Sequence, residues 1–403
     1  MKTSPNLLLI GYNVDEGLFQ EIEAGKHPRA DYFALAQELN ADIASFASIN
    51  NYPGIAARAM ALLLGKRLAL AIAGFLESRR YKLIFVSGED IAIPLCAMLR
   101  LRRNRPEVIT IAHRLTPLKK RIPWILLDLQ QTISKAVVYS KTQREFAVSN
   151  LLLPEQKVIQ IPFQADHLFF KPNPAIAEKH QICSAGLEWR DYPTLIEAVR
   201  NLDVSVKIAA ASLWSKHRDE TRRRRLPPNV EARPYKYPEL RTLYAESKIV
   251  VVPLYETDFQ AGITTVLEAM AMAKPVIVSR TSGQTDTIVD GETGIYVPPS
   301  DAVALRQAIE YLLRNPQERA RLGRNARRAI EEQFSLDHFV ARIKALADGS
   351  RTPQPDLEQA EGAQIPQLNH SRASIWSALT QLRNLLMQRR SPQRHGARPQ
   401  SRP

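Results

Sequence analysis

Short apolar runs alternate with helical patterns along most of this chain, and that alternation constrains its fold more than any other feature. In the first half the runs are NLLLIGYN, ADIASF, YKLIFVSG, EVITIAH and KAVVYS. Each run is apolar on both faces, as expected for the strands of a parallel sheet that helices cover on both sides. The pattern predicts an α/β fold built on a doubly wound parallel sheet.

The same alternation starts again after a segment punctuated by prolines, KVIQIPFQADHLFFKPNPAIAEKH, which indicates an extended linker. Six more predicted strands follow, in HQICSAG, VSVKIAAAS, NVEARPY, KIVVVPL, KPVIVS and GIYVPP, and QTDTIVD is predicted to be one of the helices among them. Because 403 residues exceed what one core usually organises, we expect two Rossmann-like domains. A ligand cleft should lie between them, at the carboxyl ends of their strands.

The domain boundaries are predicted from these changes in composition. Residues 1–163 should form the first domain and residues 164–348 the second, with the alternative that the last helix of the second crosses back to the first. Residues 349–403 are predicted to be a linker followed by a basic, largely disordered tail. From residue 371 onward the tail holds seven Arg and no Asp or Glu.

The net charge indicates the kind of binding partner, and the cysteine content indicates the cellular compartment. The formal net charge of +14 favours an anionic partner such as nucleotide phosphates, anionic lipid or nucleic acid, with a solvated basic surface as the alternative. Cys96 and Cys183 lie far apart inside apolar runs, so we expect buried free thiols and a cytoplasmic protein. No signal peptide is expected in MKTSPNLLLIGYN, and the apolar stretch 55–80 is interrupted by basic residues, which favours a buried or interfacial helix over a membrane span.

One segment of the second half, QAGITTVLEAMAM at Gln260–Met272, combines a turn with the start of a helix. Gly262 permits a close approach of the backbone, and Thr264 or Thr265 is expected to cap the helix. The free N–H groups of the first turn and the helix dipole would suit a diphosphate. Glu268, one turn further, could bind ribose hydroxyls; the alternative is a glutamate favoured near the helix N-terminus by the dipole.

The surrounding segment carries a more specific pattern. It contains Pro253 after a predicted strand, then LEAMAMAKPVIVS at 267–279 and SGQTDTIVDGETGIYVPPSD at 282–301. In this order the motifs resemble the carboxyl-terminal domain of retaining nucleotide-sugar glycosyltransferases of the GT-B fold, the family 4 group (glycosyl transferases group 1). The resemblance implies transfer of a sugar from a UDP-, GDP- or ADP-sugar with retention of configuration, and neither a metal nor a cofactor.

The resemblance also implies roles for individual residues around that helix. Glu268 corresponds to the acid expected on the nucleotide ribose, and Gln260 to the acid expected to hold hydroxyls of the transferred sugar. Gly262, Ile263, Thr264 and Thr265 belong to the turn whose amides would bind the diphosphate.

Two further segments match the family pattern outside that helix. In CSAGLEWRDYPTLIEAV, Gly186 lies in the turn, Arg190 takes the place of a lysine expected to bind the β-phosphate, and Leu187 replaces an arginine. In ITIAHRL, His113 corresponds to a histidine at a strand end that faces the donor. The departures at Leu187 and Gln260 leave two interpretations open: a retuned donor preference, or a non-catalytic or regulatory nucleotide-sugar binding protein.

Other interpretations of these residues are less favoured by the sequence. Glu89 or Asp90 could face an acceptor, but helix capping is the favoured interpretation. A nucleic-acid binder, suggested by TRRRRL, is disfavoured because aromatic residues are not interleaved with the cations. The acceptor itself, whether glycan, lipid or small molecule, is not specified by the sequence.

Three segments pair cations with apolar residues: LRLRRNRP at 99–106, LKKRIPWILL at 118–127, and the tail at 371–403. Anionic leaflets attract such segments, at about 1 kcal/mol per cation. We therefore expect peripheral association with the cytoplasmic face of a membrane, with solvated charges at the edge of a core helix as the alternative.

Overall fold

The computed structural model describes residues 4–14, 16–51, 65–210 and 226–350, and their strands form two sheets of six strands each. The first sheet contains β1 (Asn6–Ile10), β2 (Ala41–Ser45), β3 (Leu83–Val86), β4 (Glu107–Ile111), β5 (Lys135–Val138) and β6 (Val158–Gln160). Neighbouring strands run parallel in the order β2-β1-β3-β4-β5-β6. β2 lies on one side of β1, whereas β3 and the later strands are added on the other side. The position between β1 and β3 is therefore the switch point of a doubly wound sheet.

The second sheet contains β7 (His180–Ala185), β8 (Val206–Ala209), β9 (Val230–Arg233), β10 (Ser247–Val252), β11 (Val276–Ser279) and β12 (Ile295–Val297). These strands are also parallel, in the order β12-β11-β10-β7-β8-β9. Counted from β7, this is the strand order of dinucleotide-binding folds, with its switch point between β7 and β10.

Helices cover both sheets. Those of the first half are α1 (Glu16–Glu23), α2 (Asp31–Glu38), α3 (Lys66–Glu77), α4 (Glu89–Leu99), α5 (Leu118–Leu126) and α6 (Lys141–Leu151). Those of the second half are α7 (Tyr192–Ala198), α8 (Tyr237–Glu246), α9 (Ile263–Ala271), α10 (Ala302–Arg314), α11 (Pro316–Ala329) and α12 (Leu336–Ala347). Side-chain caps explain several starts: Ser140 accepts a hydrogen bond from the backbone of Gln143, and Asp301 accepts one from Ala304.

Alternation along β1 shows why the strands look apolar throughout. Leu7 and Leu9 pack into the core on one face of the first sheet, whereas Leu8 and Ile10 pack into the core on the other face. The same holds in β10, whose side chains divide between two further cores. Because every sheet face is covered, the expected α/β fold with two doubly wound parallel sheets is confirmed.

The last helix, α12, packs on the first sheet although it follows the second in the chain. Its residues Leu336, Phe339 and Ile343 belong to the same core as Leu8 of β1. Arg29 strengthens this crossing, since its guanidinium forms ion pairs with Asp166 at 2.9 Å and with Asp337 at 2.8 Å. The two halves are therefore joined twice, by the connection after β6 and by α12.

Two local predictions were wrong. Residues 284–290, QTDTIVD, form no helix; β-branched residues weaken helices, and burial of Gln284 and Ile288 holds the segment in an irregular turn. Residues 158–160 form β6 instead of a plain linker, because they pair with β5. The predicted buried free thiols are confirmed for Cys96 and Cys183. Residues 351–403, most of the predicted linker and tail, and the run TRRRRL up to residue 225 lie outside the described residues.

Candidate functional site

α9 is the helix that follows β10, so its N-terminus lies at the switch point of the second sheet, between β7 and β10. Gly262 precedes the helix with φ of +77°, and a Cβ there would come within 2.8 Å of Val252 Cγ1 and 3.1 Å of Arg190 Nη1. Glycine is therefore required by both the backbone conformation and the space. The predicted threonine cap is wrong, since no side chain caps α9 and Thr264 is exposed. The first-turn N–H groups of α9 have no capping side chain to accept from them, which suits an anionic ligand.

Arg190 lies directly beside this helix end, with only 7% of its surface exposed. Its guanidinium donates to the Ala185 carbonyl at 2.8 Å, to the Glu188 carbonyl at 2.8 Å and to Thr265 Oγ1 at 3.0 Å. A Cβ at Gly186, where φ is +90°, would come within 2.5 Å of its Nη2 atom. Arg190 thus packs against two other sequence-predicted residues, Gly186 and Thr265.

No carboxylate of the described residues forms an ion pair with Arg190, whose pKa is lowered by burial. Three of the five guanidinium N–H groups are used by the contacts above. Glu188 and Glu268 are near enough to oppose that shift, but neither forms an ion pair with the guanidinium. A buried cation without a directly paired carboxylate is unfavourable, so this position is suited to an anion that arrives as a ligand.

Glu268 lies on the second turn of α9 and is 7% exposed. Its Oε2 atom accepts a hydrogen bond from the Tyr244 hydroxyl at 2.9 Å. Burial raises the pKa of Glu268 to about 8, while the Tyr244 hydrogen bond and the charge of Arg190 act in the opposite direction. Tyr244, on α8, was not identified from the sequence, because nothing in its local pattern distinguishes it from an ordinary core tyrosine.

Unpaired polar groups are concentrated in two loops that follow β10 and β11. Gln260 is 8% exposed and Gln284 is 0% exposed. Gln260 Oε1, both amide atoms of Gln284, and the hydroxyls of Thr257 and Thr281 are buried and have no hydrogen-bond partner in the described protein. A Cβ at Gly283 would overlap the backbone of Phe259, so the two loops pack tightly together. Buried polar groups are rarely left unpaired, which makes this pair of loops a candidate for binding hydroxyl-rich ligands.

His113 lies at the carboxyl end of β4, on the first domain, and is exposed. Its ring Nε2 atom is 2.7 Å from the Ser87 carbonyl. The backbone N–H groups of His113 and Arg114 donate to the two carboxylate oxygens of Glu89, at 2.9 and 3.0 Å. Glu89 also pairs with Lys120 at 2.5 Å. The favoured interpretation of Glu89 as a helix cap is wrong: no side chain caps α4, and this buried carboxylate holds the turn after β4 instead.

Arg114 connects the two domains across the cleft. Its guanidinium pairs with Asp258 at 3.0 Å and lies 4.8 Å from the ring of Phe259 and 6.0 Å from that of Trp189. Since Asp258 and Phe259 immediately precede Gln260, this bridge brings the turn that holds His113 to the same cleft. Sequence reasoning missed Arg114, although its position next to His113 was a usable signal.

A carboxylate, Asp31, lies on the first-domain side of that cleft. It accepts hydrogen bonds from the Tyr32 backbone at 2.8 Å and from the Gln164 amide at 3.3 Å. Burial raises the pKa of Asp31, and the nearby His113 opposes that shift. Tyr139 is within reach too, with its ring centroid 5.6 Å from that of His113.

A separate charged groove of about 430 Å³ lies at the opposite end of the second sheet, where β7 begins with His180. Its charges are largely paired internally, Lys207 with Glu231 and Arg233 with Glu239. It is therefore distinct from the cleft. In the described ranges no group of three or more His, Cys, Asp and Glu side chains is arranged to hold a metal, and none of the helices is long and apolar enough to span a bilayer.

Two domains, each with a parallel sheet whose switch point faces a common cleft, define the GT-B fold. Sucrose-phosphate synthase from Thermosynechococcus elongatus has this fold, with a TM-score of 0.64 over 85% of this chain and 98% of that one, at 18% identity. The Anabaena protein HepE, solved in complex with UDP-glucose, gives a TM-score of 0.65 over 85% and 99% of the two chains, at 14% identity.

The similarity to a known family lies in the second domain. Residues 186–329 match the family Glycosyl transferases group 1, and the matched segment contains Arg190, Gln260 and Glu268. This is the family that the motifs resemble. D-inositol 3-phosphate glycosyltransferase of Gordonia bronchialis is 34% identical over 145 residues, 34% of this chain and 29% of that protein. The capsular polysaccharide biosynthesis glycosyltransferase CapM of Staphylococcus aureus is 33% identical over 105 residues, 26% and 27% of the two chains. The matched stretch thus spans less than a third of the length of these relatives.

Proposed function

We propose that this protein is a glycosyltransferase that moves a sugar from a nucleoside-diphosphate sugar to an acceptor, with retention of configuration and without a metal ion. The observation that carries the proposal is the guanidinium of Arg190, buried beside the N-terminus of α9 with no carboxylate of the described residues at ion-pair distance. The match to the group 1 family around it and the GT-B neighbour solved with UDP-glucose support the same conclusion.

In this proposal the donor binds along α9. Its diphosphate accepts hydrogen bonds from the first-turn amides of the helix and faces Arg190, where the helix dipole adds positive potential. Its ribose hydroxyls donate to Glu268, which lies further into the second domain. The transferred sugar contacts the two loop glutamines: the unpaired oxygen of Gln260 can accept a hydrogen bond, and the unpaired amide of Gln284 can both donate and accept.

The reaction then breaks the bond between the anomeric carbon and the diphosphate oxygen and forms a bond from that carbon to the acceptor oxygen. The acceptor proton passes to the departing diphosphate, so atoms and charge balance. Arg190 and the α9 amides stabilise the negative charge that develops on the diphosphate, which is electrostatic catalysis by preorganised groups. His113, from the first domain, positions the sugar at the mouth of the cleft.

The proposal is tested with the purified protein, a panel of UDP-, GDP- and ADP-sugars and the variants Arg190→Ala and Arg190→Lys. We expect donor turnover with one of the bases, a loss of about 100-fold or more in kcat/KM for Arg190→Ala, and partial recovery in Arg190→Lys. A matched control is Arg144→Ala, which removes a guanidinium paired with Glu155 within the first domain. Nucleoside diphosphate binding without turnover would assign the protein to the non-catalytic class, and neither binding nor turnover would refute the proposal.

A further inference from the structure

Exposed large apolar side chains are concentrated on one part of the first domain. Of the eleven found on the described residues, five lie on α5 or directly beside it: Leu101, Leu118, Ile122, Leu126 and Leu127. Arg100 donates a hydrogen bond to the Leu127 carbonyl, which ties the end of α4 to the end of α5 and so places Leu101 beside the end of α5. We call these five residues the apolar face.

The apolar face does not belong to the core. Leu118, Ile122 and Leu126 recur every four residues, so they share one side of α5, and they are 48%, 37% and 40% exposed. The core side of the same helix is occupied by Trp124 and Ile125, which are 0% and 2% exposed. The apolar stripe is thus additional to the residues that anchor α5 to the domain.

Cations surround the apolar face. Between residues 99 and 127 the sequence holds eight Lys and Arg and a single acid, Glu107. Arg103, Arg105 and Lys119 are exposed, which leaves a positive margin around the apolar side chains. The surface therefore offers aliphatic and cationic groups together.

We propose that the apolar face and its cations dock this protein on an anionic lipid bilayer. A bilayer accepts both kinds of group at once, aliphatic side chains at the acyl boundary and cations among anionic headgroups. A second copy of the chain is disfavoured because docking would bring two positively charged margins together. The chain's own tail at 371–403 is disfavoured for the same reason, since it carries seven Arg and no acid. Single-stranded nucleic acid would call for exposed aromatic platforms, whereas the exposed side chains here are aliphatic.

The docking surface borders the cleft. Lys120 of α5 pairs with Glu89, and Glu89 binds the backbone of His113 and Arg114 at the cleft mouth. Only five peptide units separate His113 from Leu118, a reach of about 17 Å at most. If the proposed transfer reaction is correct, on which this last step rests, an acceptor carried in the bilayer would meet the first-domain side of the cleft.

Flotation with vesicles of phosphatidylcholine alone, or with 30% phosphatidylglycerol, tests the docking on the full chain. We expect at least about tenfold more protein on the anionic vesicles, and a tenfold or greater loss for the combined change Leu118→Ser, Ile122→Ser and Leu126→Ser. Val303→Ser with Tyr311→Ser is the matched control, because these residues are 67% and 49% exposed on the second domain. The control should float like the wild type.

A second variant guards against misfolding, and two readouts separate the outcomes. Arg103→Glu, Arg105→Glu and Lys119→Glu together should reduce anionic binding without disturbing the core. Thermal shift by nucleoside diphosphates should be the same in the wild type and in all variants. Its absence in the wild type would count against the proposed function and not against docking, whereas its loss in one variant alone would show that this variant is misfolded. The proposal is overturned if the wild type does not bind vesicles, if only deletion of residues 371–403 abolishes binding, or if the serine variant changes dimerisation instead.

Discussion

Glu268 shows how a single buried carboxyl couples the site to stability. Its pKa rises from 4.5 to about 8 in the folded protein, chiefly through burial. Between these values the folded state binds more protons than the unfolded state, so stability falls as pH rises from about 4.5 and levels off above about 8. Ionising Glu268 therefore lowers the free energy of unfolding of the domain, although the ionised carboxylate is the form that could accept hydrogen bonds from a donor ribose.

Replacing Glu268 with Gln should remove that pH dependence. We expect the free energy of unfolding of the wild type to decrease relative to Glu268→Gln between pH 5 and pH 8, by at most about 1.4 kcal/mol per pH unit. Urea denaturation at pH 5, 6, 7 and 8 measures the difference, and other titrating groups cancel because both proteins share them. Parallel curves for the two proteins would mean that Glu268 is ionised in the native state.

Gln284 is the residue for which function and stability should separate most clearly. Its amide is fully buried and both of its polar atoms lack a partner in the described protein. Replacing such a group with an apolar one of similar size is neutral or stabilising. Gln284→Leu should therefore raise the free energy of unfolding by about 1 kcal/mol while lowering kcat/KM for the donor sugar about 100-fold. A variant that loses stability and keeps activity would show that the amide is a structural group.

The resemblance to the family motifs singled out Arg190, Gln260 and Glu268 from the sequence, and the structure places them near the start of α9. It did not allow the unpaired amide of Gln284 or the contacts of Glu89 to be predicted. Those depend on loops that meet only when distant strands pair, and no local pattern encodes that meeting.

At the level of elements, the start of α9 depends on a glycine more than on a capping side chain. Gly262 and Gly291 have nearly the same φ, +77° and +74°, but only Gly262 is crowded: a Cβ at Gly291 would meet nothing within 4 Å. The two positions therefore separate backbone strain from steric overlap.

Alanine at each glycine tests this distinction. Gly291→Ala should cost about 1–2 kcal/mol of stability from the left-handed backbone alone. Gly262→Ala should cost more, because its Cβ also overlaps Val252 and the Arg190 guanidinium, and it should abolish the thermal shift by nucleoside diphosphates. Denaturation curves of both variants measure the comparison. Equal losses of stability would show that α9 can move to accommodate a side chain.

Predictability also varied among elements. All strands of both sheets except β6 were identified from their apolar runs, since burial on both faces leaves a strong signal. The segment at 284–290 was mistaken for a helix because its apolar spacing resembles one turn, whereas its geometry is set by packing against the loop that follows β10. β6 gave a weak signal, being three residues long at the edge of the sheet.

At the level of the whole molecule, the cleft is held by contacts that belong to neither domain alone. α12 fastens the second half to the first sheet behind the cleft, and the Arg114–Asp258 pair joins the two sides at its mouth. Asp286 adds a third contact, accepting a hydrogen bond from the Lys141 backbone at 2.5 Å. Because the α12 contact buries apolar side chains in a core in addition to its ion pair with Arg29, whereas the mouth contact rests on one partly exposed ion pair and its aromatic neighbours, opening should begin at the mouth.

Removal of Arg114 should therefore open the cleft without unfolding either domain. Arg114→Ala loses an ion pair to Asp258 and the contact with the Phe259 ring, together about 1–2 kcal/mol, which is enough to shift an open–closed equilibrium about tenfold. Small-angle X-ray scattering should show a larger radius of gyration for Arg114→Ala, and the melting temperature should change little. Arg144→Ala, which breaks the pair with Glu155 inside the first domain, should leave the radius unchanged. If Asp258→Ala also opens the cleft and the double variant opens it no further, the pair itself holds the domains together; additive effects would assign the closure to the aromatic contact instead.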